Sequence, residues 1–291
     1  MAEPKLFLGV DGGASRCRAR IRDKRGVNLG EAEGPAANIH VDFDGAIASI
    51  LNTLDSAAAA GGIDPAALLT GAIGLGLAGL MTPEDSKRVE SALAGFARVR
   101  AANDATTARI GSTNGGDGAL IIAGTGSAAA VGFGGVERIL GGHGFLAGDD
   151  GSAAKIGLDA TRLALRAHDG LEPSSPLTRE FLARHGDDAA QVVRWASQAT
   201  PGDFGHLAPR VLALAGEGDA HAKDIVRRAA VAIMDLIDAV RRAGAERISL
   251  VGGLADSLLP WLDPPYRGLV NAPLYDAVDG AILMIGGAVS G

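Results

Sequence analysis

Cysteine is all but missing from this chain. One residue, Cys17, is present, so no disulfide can form within a single copy, nor can one copy build a cysteine-ligated metal or iron–sulfur site. That scarcity fits a reducing compartment, and the cytoplasm is the expected location. Aromatic side chains supply only 4% of the residues, which leaves core packing to Ala, Leu, Ile and Val. No apolar run approaches the roughly 18 residues of a membrane helix, and no apolar stretch follows a basic one near the start, so neither a membrane span nor a signal peptide is expected. Positive charge is also short. The formal net charge is -7 with no basic stripe, which argues against a nucleic-acid partner. An anionic nucleotide is not excluded, because backbone dipoles can hold one inside an acidic protein.

What the chain has in quantity is glycine, 43 of 291 residues, within a 47% hydrophobic sequence. Length and composition fit a soluble globular protein of one large or two ordinary domains. The glycines cluster after apolar runs. Residues 6–10 form a short apolar strand, followed by Asp11-Gly12-Gly13-Ala14-Ser15. Cys17, Ala19 and Ile21 then alternate with Arg18, Arg20 and Arg22, a half-buried strand of period two, and residues 27–33 can return as a third. The plan recurs: an apolar strand at 120–123, then Gly124-Thr125-Gly126-Ser127, a strand to 133 and a return over 138–140. This repetition predicts two structurally related domains.

Helices are expected over 42–60, from Thr82 as N-cap, from Asp150 or Ser152 to about 168, from Ser175 to near 185, over 220–243 and over 275–285. Further strands are expected at 71–80, 99–104 and 247–254, while 261–274 reads as irregular. The mixture predicts an α/β protein with mixed sheets.

The two glycine turns carry the first chemical reading. Glycine lets the main chain approach an anion, and successive N–H groups of a tight turn make a positive concavity, to which Ser15, Thr125 and Ser127 add hydroxyls. An aspartate closing a buried strand, such as Asp11, can hold a hydrated Mg²⁺ beside phosphates. Neither turn is a Walker or a Rossmann loop, and a plain hairpin would use the same residues. Two such hairpins opposed across a cleft would grip the polyphosphate of ATP. Val251-Gly252-Gly253-Leu254 can admit an adenine ring or simply turn a strand into a helix. Asp104 ends a strand, where it can take a proton from a hydroxyl or cap the next helix. His143, among glycines, reads as a pocket wall, since no second His or Cys stands at ligand spacing. His168 and His185 read as surface residues near helix C-termini, and Cys17 as a small core side chain.

In this order the three glycine turns resemble the phosphate and adenosine motifs of the sugar kinase, heat-shock ATPase and actin superfamily. More closely they resemble the branch holding N-acetylglucosamine kinases, bacterial glucosamine kinases and BadF-type ATPases. Ala36-Ala37-Asn38-Ile39, Asn103-Asp104-Ala105 and the stretch from Gly141 to Ser152 are similar to amino-sugar kinase signatures. The stretches from Ala199 to Gly205 and from Gly244 to Ile248 are similar to bacterial glucosamine kinases in particular. The resemblance covers essentially the whole chain. It implies an actin-like, ribonuclease H-like α/β fold of two related domains with an interdomain cleft. The domains would span 1–112, completed by 275–291, and 113–274. It also implies ATP and Mg²⁺, a homodimer, and phosphorylation of the 6-hydroxyl of glucosamine or N-acetylglucosamine.

By position, the resemblance makes Asp104 the catalytic base. It places Asn38, Asp104, Gly142, His143, Gly144 and Asp149 on the sugar. Gly12, Gly13, Ser15, Gly124, Thr125, Gly126 and Ser127 fall on the ATP phosphates, Gly252 and Gly253 on the adenosine, and Asp11 beside Mg²⁺ through water. Three positions depart from the usual pattern: Ser15 stands where Thr is common, His143 where many N-acetylglucosamine kinases carry Trp, and Asp149-Asp150 where Asp-Glu is usual. Two other readings are an activating ATPase for a dehydratase, which would need cysteines for a shared cluster, and a non-catalytic sugar sensor, which usually carries a DNA-binding segment.

Overall fold

The computed structural model describes residues 4–290. The chain divides into two compact units. Unit 1 takes the residues up to 119, the hairpin tip 132–137 and the residues from 272 on; unit 2 takes 120–131 and 138–271. Among the described residues, no helix is long and apolar enough to cross a membrane.

Unit 1 begins with the strands β1 (Leu6–Gly12), β2 (Cys17–Asp23) and β3 (Asn28–Gly34), followed by the helices α1 (Phe43–Ala60) and α2 (Pro65–Leu68). Then come β4 (Ala72–Leu77), α3 (Pro83–Ala92), β5 (Arg98–Asn103) and α4 (Asp104–Ser112). The sheet runs in the order β3-β2-β1-β4-β5. β1–β2 and β2–β3 are antiparallel, whereas β1–β4 and β4–β5 are parallel. Period two divides β1 between two cores. Leu8 and Val10 join Ile50 and Leu54 of α1 on one face, while Phe7 joins Ile282 and Ile285 on the other. Each such side chain, fully buried, contributes about 1.5–3 kcal/mol.

Glycines of β4 and of the C-terminal helix have a packing reason. A Cβ on Gly74 would overlap the Ala281 carbonyl oxygen, and one on Gly280 would overlap the Thr107 carbonyl oxygen. The C-terminal helix therefore lies directly against β4 and α4, at a distance only glycine permits.

Unit 2 is built on β6 (Gly118–Ala123), β7 (Ser127–Phe133) and β8 (Val136–Gly141). A helical block follows: α5 (Ala153–His168), α6 (Pro176–Ala183), α7 (Ala189–Ala196), α8 (Pro201–Gly205), α9 (Ala208–Glu217) and α10 (Ala220–Arg242). The unit closes with β9 (Ile248–Val251), α11 (Ala255–Leu258), α12 (Pro264–Arg267) and β10 (Val270–Asn271). The last helix, α13 (Ala277–Met284), returns to unit 1. The second sheet runs β10-β9-β6-β7-β8. Read from β8, its strands follow the same rank order as the first sheet. The α10 stripe buries Ile225, Ala229, Ile233, Ile237 and Val240.

Two sequence expectations need correction. Residues 261–274 are not wholly irregular, because they hold α12 and β10, and β10 pairs in parallel with β9. Two paired residues leave no periodicity to read. His185 is not a free surface residue: its ring lies 5.1 Å from Phe181 and 5.3 Å from Trp195. For Asp104 the sequence left base and cap open, and the N-cap of α4 is not Asp104. Asn103 is, with Oδ1 accepting the Ala105 N–H at 2.9 Å.

Candidate active site

Within unit 1 the candidate residues gather at the carboxyl ends of the parallel strands, where open α/β sheets place ligands. Asp11 is near the end of β1, in register with Gly76 of β4. The β1–β2 turn is closed by the Gly13 N–H donating to Arg16 O at 2.9 Å, which leaves Ser15 exposed at its tip. Gly12 is buried, and a Cβ there would meet Leu77 at 2.6 Å and Ala37 at 3.1 Å. The Asn38 loop is tied to the same edge: Ala37 N–H donates to Gly13 O at 3.0 Å and Ile39 N–H to Ala78 O at 3.3 Å. Asn38 Oδ1 accepts from His40 N at 3.0 Å, an Asx turn that fixes its side chain.

Asp104 follows β5 as the first residue of α4. Burial pushes its carboxyl above the usual aspartate range; the Ala105 N–H opposes that, and the Asp11 carboxylate adds to it. A base with a raised pKa accepts a proton more readily at neutral pH.

Sequence reasoning did not assign Arg18 to this site. Its guanidinium donates to Asp11 Oδ2 from Nη2 at 2.7 Å and from Nε at 3.2 Å, and Nη1 reaches Asp276 at 3.4 Å. Arg20 bridges Asp276 and Asp279, and Arg22 pairs with Asp279. The alternation of arginines along β2 was the signal; the partner carboxylates of α13 and its cap lie more than 250 residues away and were not. Among the described residues no group of three His, Cys, Asp or Glu side chains is arranged to hold a metal ion. Both Arg18 bonds fall on Oδ2 of Asp11, so the carboxylate is oriented through one oxygen.

Within unit 2 the candidates lie at the ends of β6 and β9 and on the loop after β8. Gly124–Gly126 is a three-residue turn closed by Gly124 N–H to Gly126 O at 2.9 Å. It rests on the first turn of α5, whose Ala153 and Ala154 N–H groups donate to Gly124 O at 2.8 Å and Thr125 O at 3.3 Å. Ser127 is buried, and its hydroxyl donates to Asp150 O at 2.7 Å, so it braces the loop. Gly252 holds a φ of 104°, and a Cβ there would overlap Ala123 O. Gly253 beside it is open.

The loop from Gly141 to Gly151 turns on left-handed residues. Gly142 and Gly144 have φ of 68° and 84°, and Asp149, which is not glycine, has 61°. Glycine adopts such backbone freely, whereas for Asp149 it costs about 1–3 kcal/mol and persists where surroundings enforce it. The Asp149 carboxylate lies over the Gly124–Gly126 turn, 2.8 Å from where a Cβ on Gly126 would stand. His143 is exposed. His143, Gly148 and Asp149 line a cavity of about 270 Å³ with Ser127, Gly141 and Asp235. A larger hollow of about 560 Å³ between α5 and α10 contains none of the candidate residues.

This is the actin-like α/β ATPase fold, with its strand-end glycine turns and an aspartate opening the helix after β5. Residues 8–288 match the BadF/BadG/BcrA/BcrD ATPase family, and the chain belongs to that family. It is 34% identical over 280 residues to the glucosamine kinase GspK of Vibrio cholerae, covering 96% of this chain and 95% of that protein. It is 30% identical over 261 residues to the N-acetyl-D-glucosamine kinase of Dictyostelium discoideum, covering 81% and 79%. A solved structure from Chromobacterium violaceum, which carries the provisional description of N-acetylglucosamine kinase, aligns with a TM-score of 0.87 at 34% identity over 97% and 99% of the two chains.

Proposed function

We propose that the protein is an ATP-dependent kinase that transfers the γ-phosphoryl group to the 6-hydroxyl of glucosamine or N-acetylglucosamine. The observation that carries this is the state of Asp104: Asn103 supplies the cap, and burial raises the Asp104 carboxyl. The relatives named for amino-sugar kinase activity span nearly the whole chain and support the substrate class.

In this reading Asn38 and the loop bearing Gly142, His143, Gly144 and Asp149 hold the sugar. Gly12, Gly13 and Ser15, with Gly124, Thr125 and Gly126, face the phosphates, Ser127 braces the second turn through Asp150 O, and Gly252 and Gly253 face the adenosine. Asp104 accepts the proton of the 6-hydroxyl as the oxygen forms its bond to the γ-phosphorus. The bond from that phosphorus to the oxygen bridging to the β-phosphate breaks, and ADP leaves. Positioning and charge neutralisation supply most of such a rate enhancement. Asp11 would hold Mg²⁺ through water, and the ion would neutralise charge on the phosphates when bound. The activator reading is disfavoured by Cys17, which is fully buried, with burial pushing its thiol up to about 11.

A coupled ADP-release assay with ATP and Mg²⁺ against glucosamine, N-acetylglucosamine and glucose tests the reading. Release is expected with an amino sugar. No release above the sugar-free rate with any of the three would remove the proposal.

A further inference from the structure

The stretch from Ala199 to Gly205 has no role in the chemistry above, yet it forms α8, a five-residue helix with a capping box. Asp203 Oδ2 accepts from Thr200 N at 2.7 Å and from Thr200 Oγ1 at 2.6 Å. Such a short helix does not hold its place by its own hydrogen bonds. Three contacts hold it. Its Phe204 carbonyl approaches Gly157 of α5 so closely that a Cβ on Gly157 would overlap it. Glycine inside a helix costs about 1 kcal/mol, so this contact is kept against helix propensity. The buried Phe204 ring meets Trp195 edge-on, with centroids 5.0 Å apart. It also stacks on Phe145, with centroids 5.3 Å apart and planes at 28°.

Phe145 sits in the middle of the Gly141–Gly151 loop. Its neighbour Leu146 is 93% exposed, and the loop bends on the left-handed glycines already described. The stack on Phe204 therefore anchors the middle of a segment rich in backbone freedom. The next residue of α8, Gly205, lies against the phosphate turn: a Cβ there would stand 3.7 Å from the Thr125 methyl and 3.6 Å from Ala153 Cβ.

We infer that Phe145 and Phe204 are positioning residues: through them α8 holds the loop carrying His143 and Asp149 in register with the Thr125 turn. The inference rests on the reading of that loop as a sugar site.

The test compares Phe145→Ala, Phe145→Tyr and Phe204→Leu with wild type by steady-state kinetics in both substrates and by hydrogen exchange of the amides of residues 142–149 without ligand. Phe145→Ala is expected to raise KM for the amino sugar roughly five- to tenfold, the value of a stacked pair, while kcat and KM for ATP stay within about twofold. The loop amides exchange faster, and Phe145→Tyr restores both readings. Phe204→Leu raises KM for both substrates, because α8 touches both segments. Unchanged sugar KM and unchanged loop exchange in Phe145→Ala overturn the inference, as does a Phe145→Tyr variant that restores neither. If Phe145→Ala melts far below wild type, Phe145→Leu takes its place under the same outcomes. If wild type phosphorylates no amino sugar, the kinase reading fails, and the exchange measurement alone decides whether Phe145 anchors the loop.

Discussion

Arg18 holds Asp11 at 2.7 Å and reaches Asp276 at 3.4 Å with the same guanidinium. One side chain thus joins the aspartate of the first glycine turn to the cap of the last helix. Both partners are partly shielded from water, so breaking the pair is expected to cost about 1–3 kcal/mol, between the exposed and buried limits. Arg18→Ala should lower the urea midpoint accordingly. Arg18→Lys should recover only part of the loss, because an ammonium cannot fork between two carboxylates. A midpoint unchanged in Arg18→Ala would remove the pair from the account of stability.

In its proposed role as base, Asp104 links activity to stability with opposite signs. Its folded-state pKa lies above the unfolded value, so ionisation favours the unfolded chain as pH rises through that interval. Asp104→Asn should therefore melt higher than wild type at neutral pH. The advantage should vanish below about pH 4, where the unfolded carboxyl is protonated as well. An Asn variant less stable than wild type at neutral pH would contradict the burial argument.

Glycine at position 280 is a packing requirement. Gly280→Val is expected to lose about 3 kcal/mol or more, since a side chain there must displace the Thr107 carbonyl and part α13 from α4. Gly216 is the control. It lies exposed in α9 with nothing near a Cβ, and Gly216→Ala should stabilise by about 0.5–1 kcal/mol. Denaturant melts of the two variants check both signs.

Cys17 should be inert. With its thiol buried and pushed up to about 11, native protein at pH 8 should resist alkylation, and unfolded protein should react fully. Rapid native labelling would show that β2 opens readily.

Much of this was legible in the sequence because the signals are local. The runs before Asp11 and Gly124 mark buried strands that end in glycine turns, the Thr82-Pro83 pair marks a capped helix, and the α10 stripe marks a core helix. Asp104 was placed at a strand end, but its neighbour took the cap, a choice that adjacent Asn and Asp residues leave open. What stayed hidden depends on partners distant in the chain. Nothing near Arg18 announces Asp276, and nothing near Gly74 announces Ala281. His185 looked like a helix end until Phe181 and Trp195 enclosed it. Ser127 looked like a phosphate ligand, and its hydroxyl is spent on Asp150 O.

The most direct measurement is the turnover of Asp104→Asn beside its affinity for the amino sugar. The account expects kcat to fall by about 10²–10⁴-fold, the usual worth of a positioned base, while the dissociation constant for the sugar changes only a few-fold. An Asn variant that turns over at the wild-type rate would contradict the assignment of Asp104 as the group that accepts the hydroxyl proton.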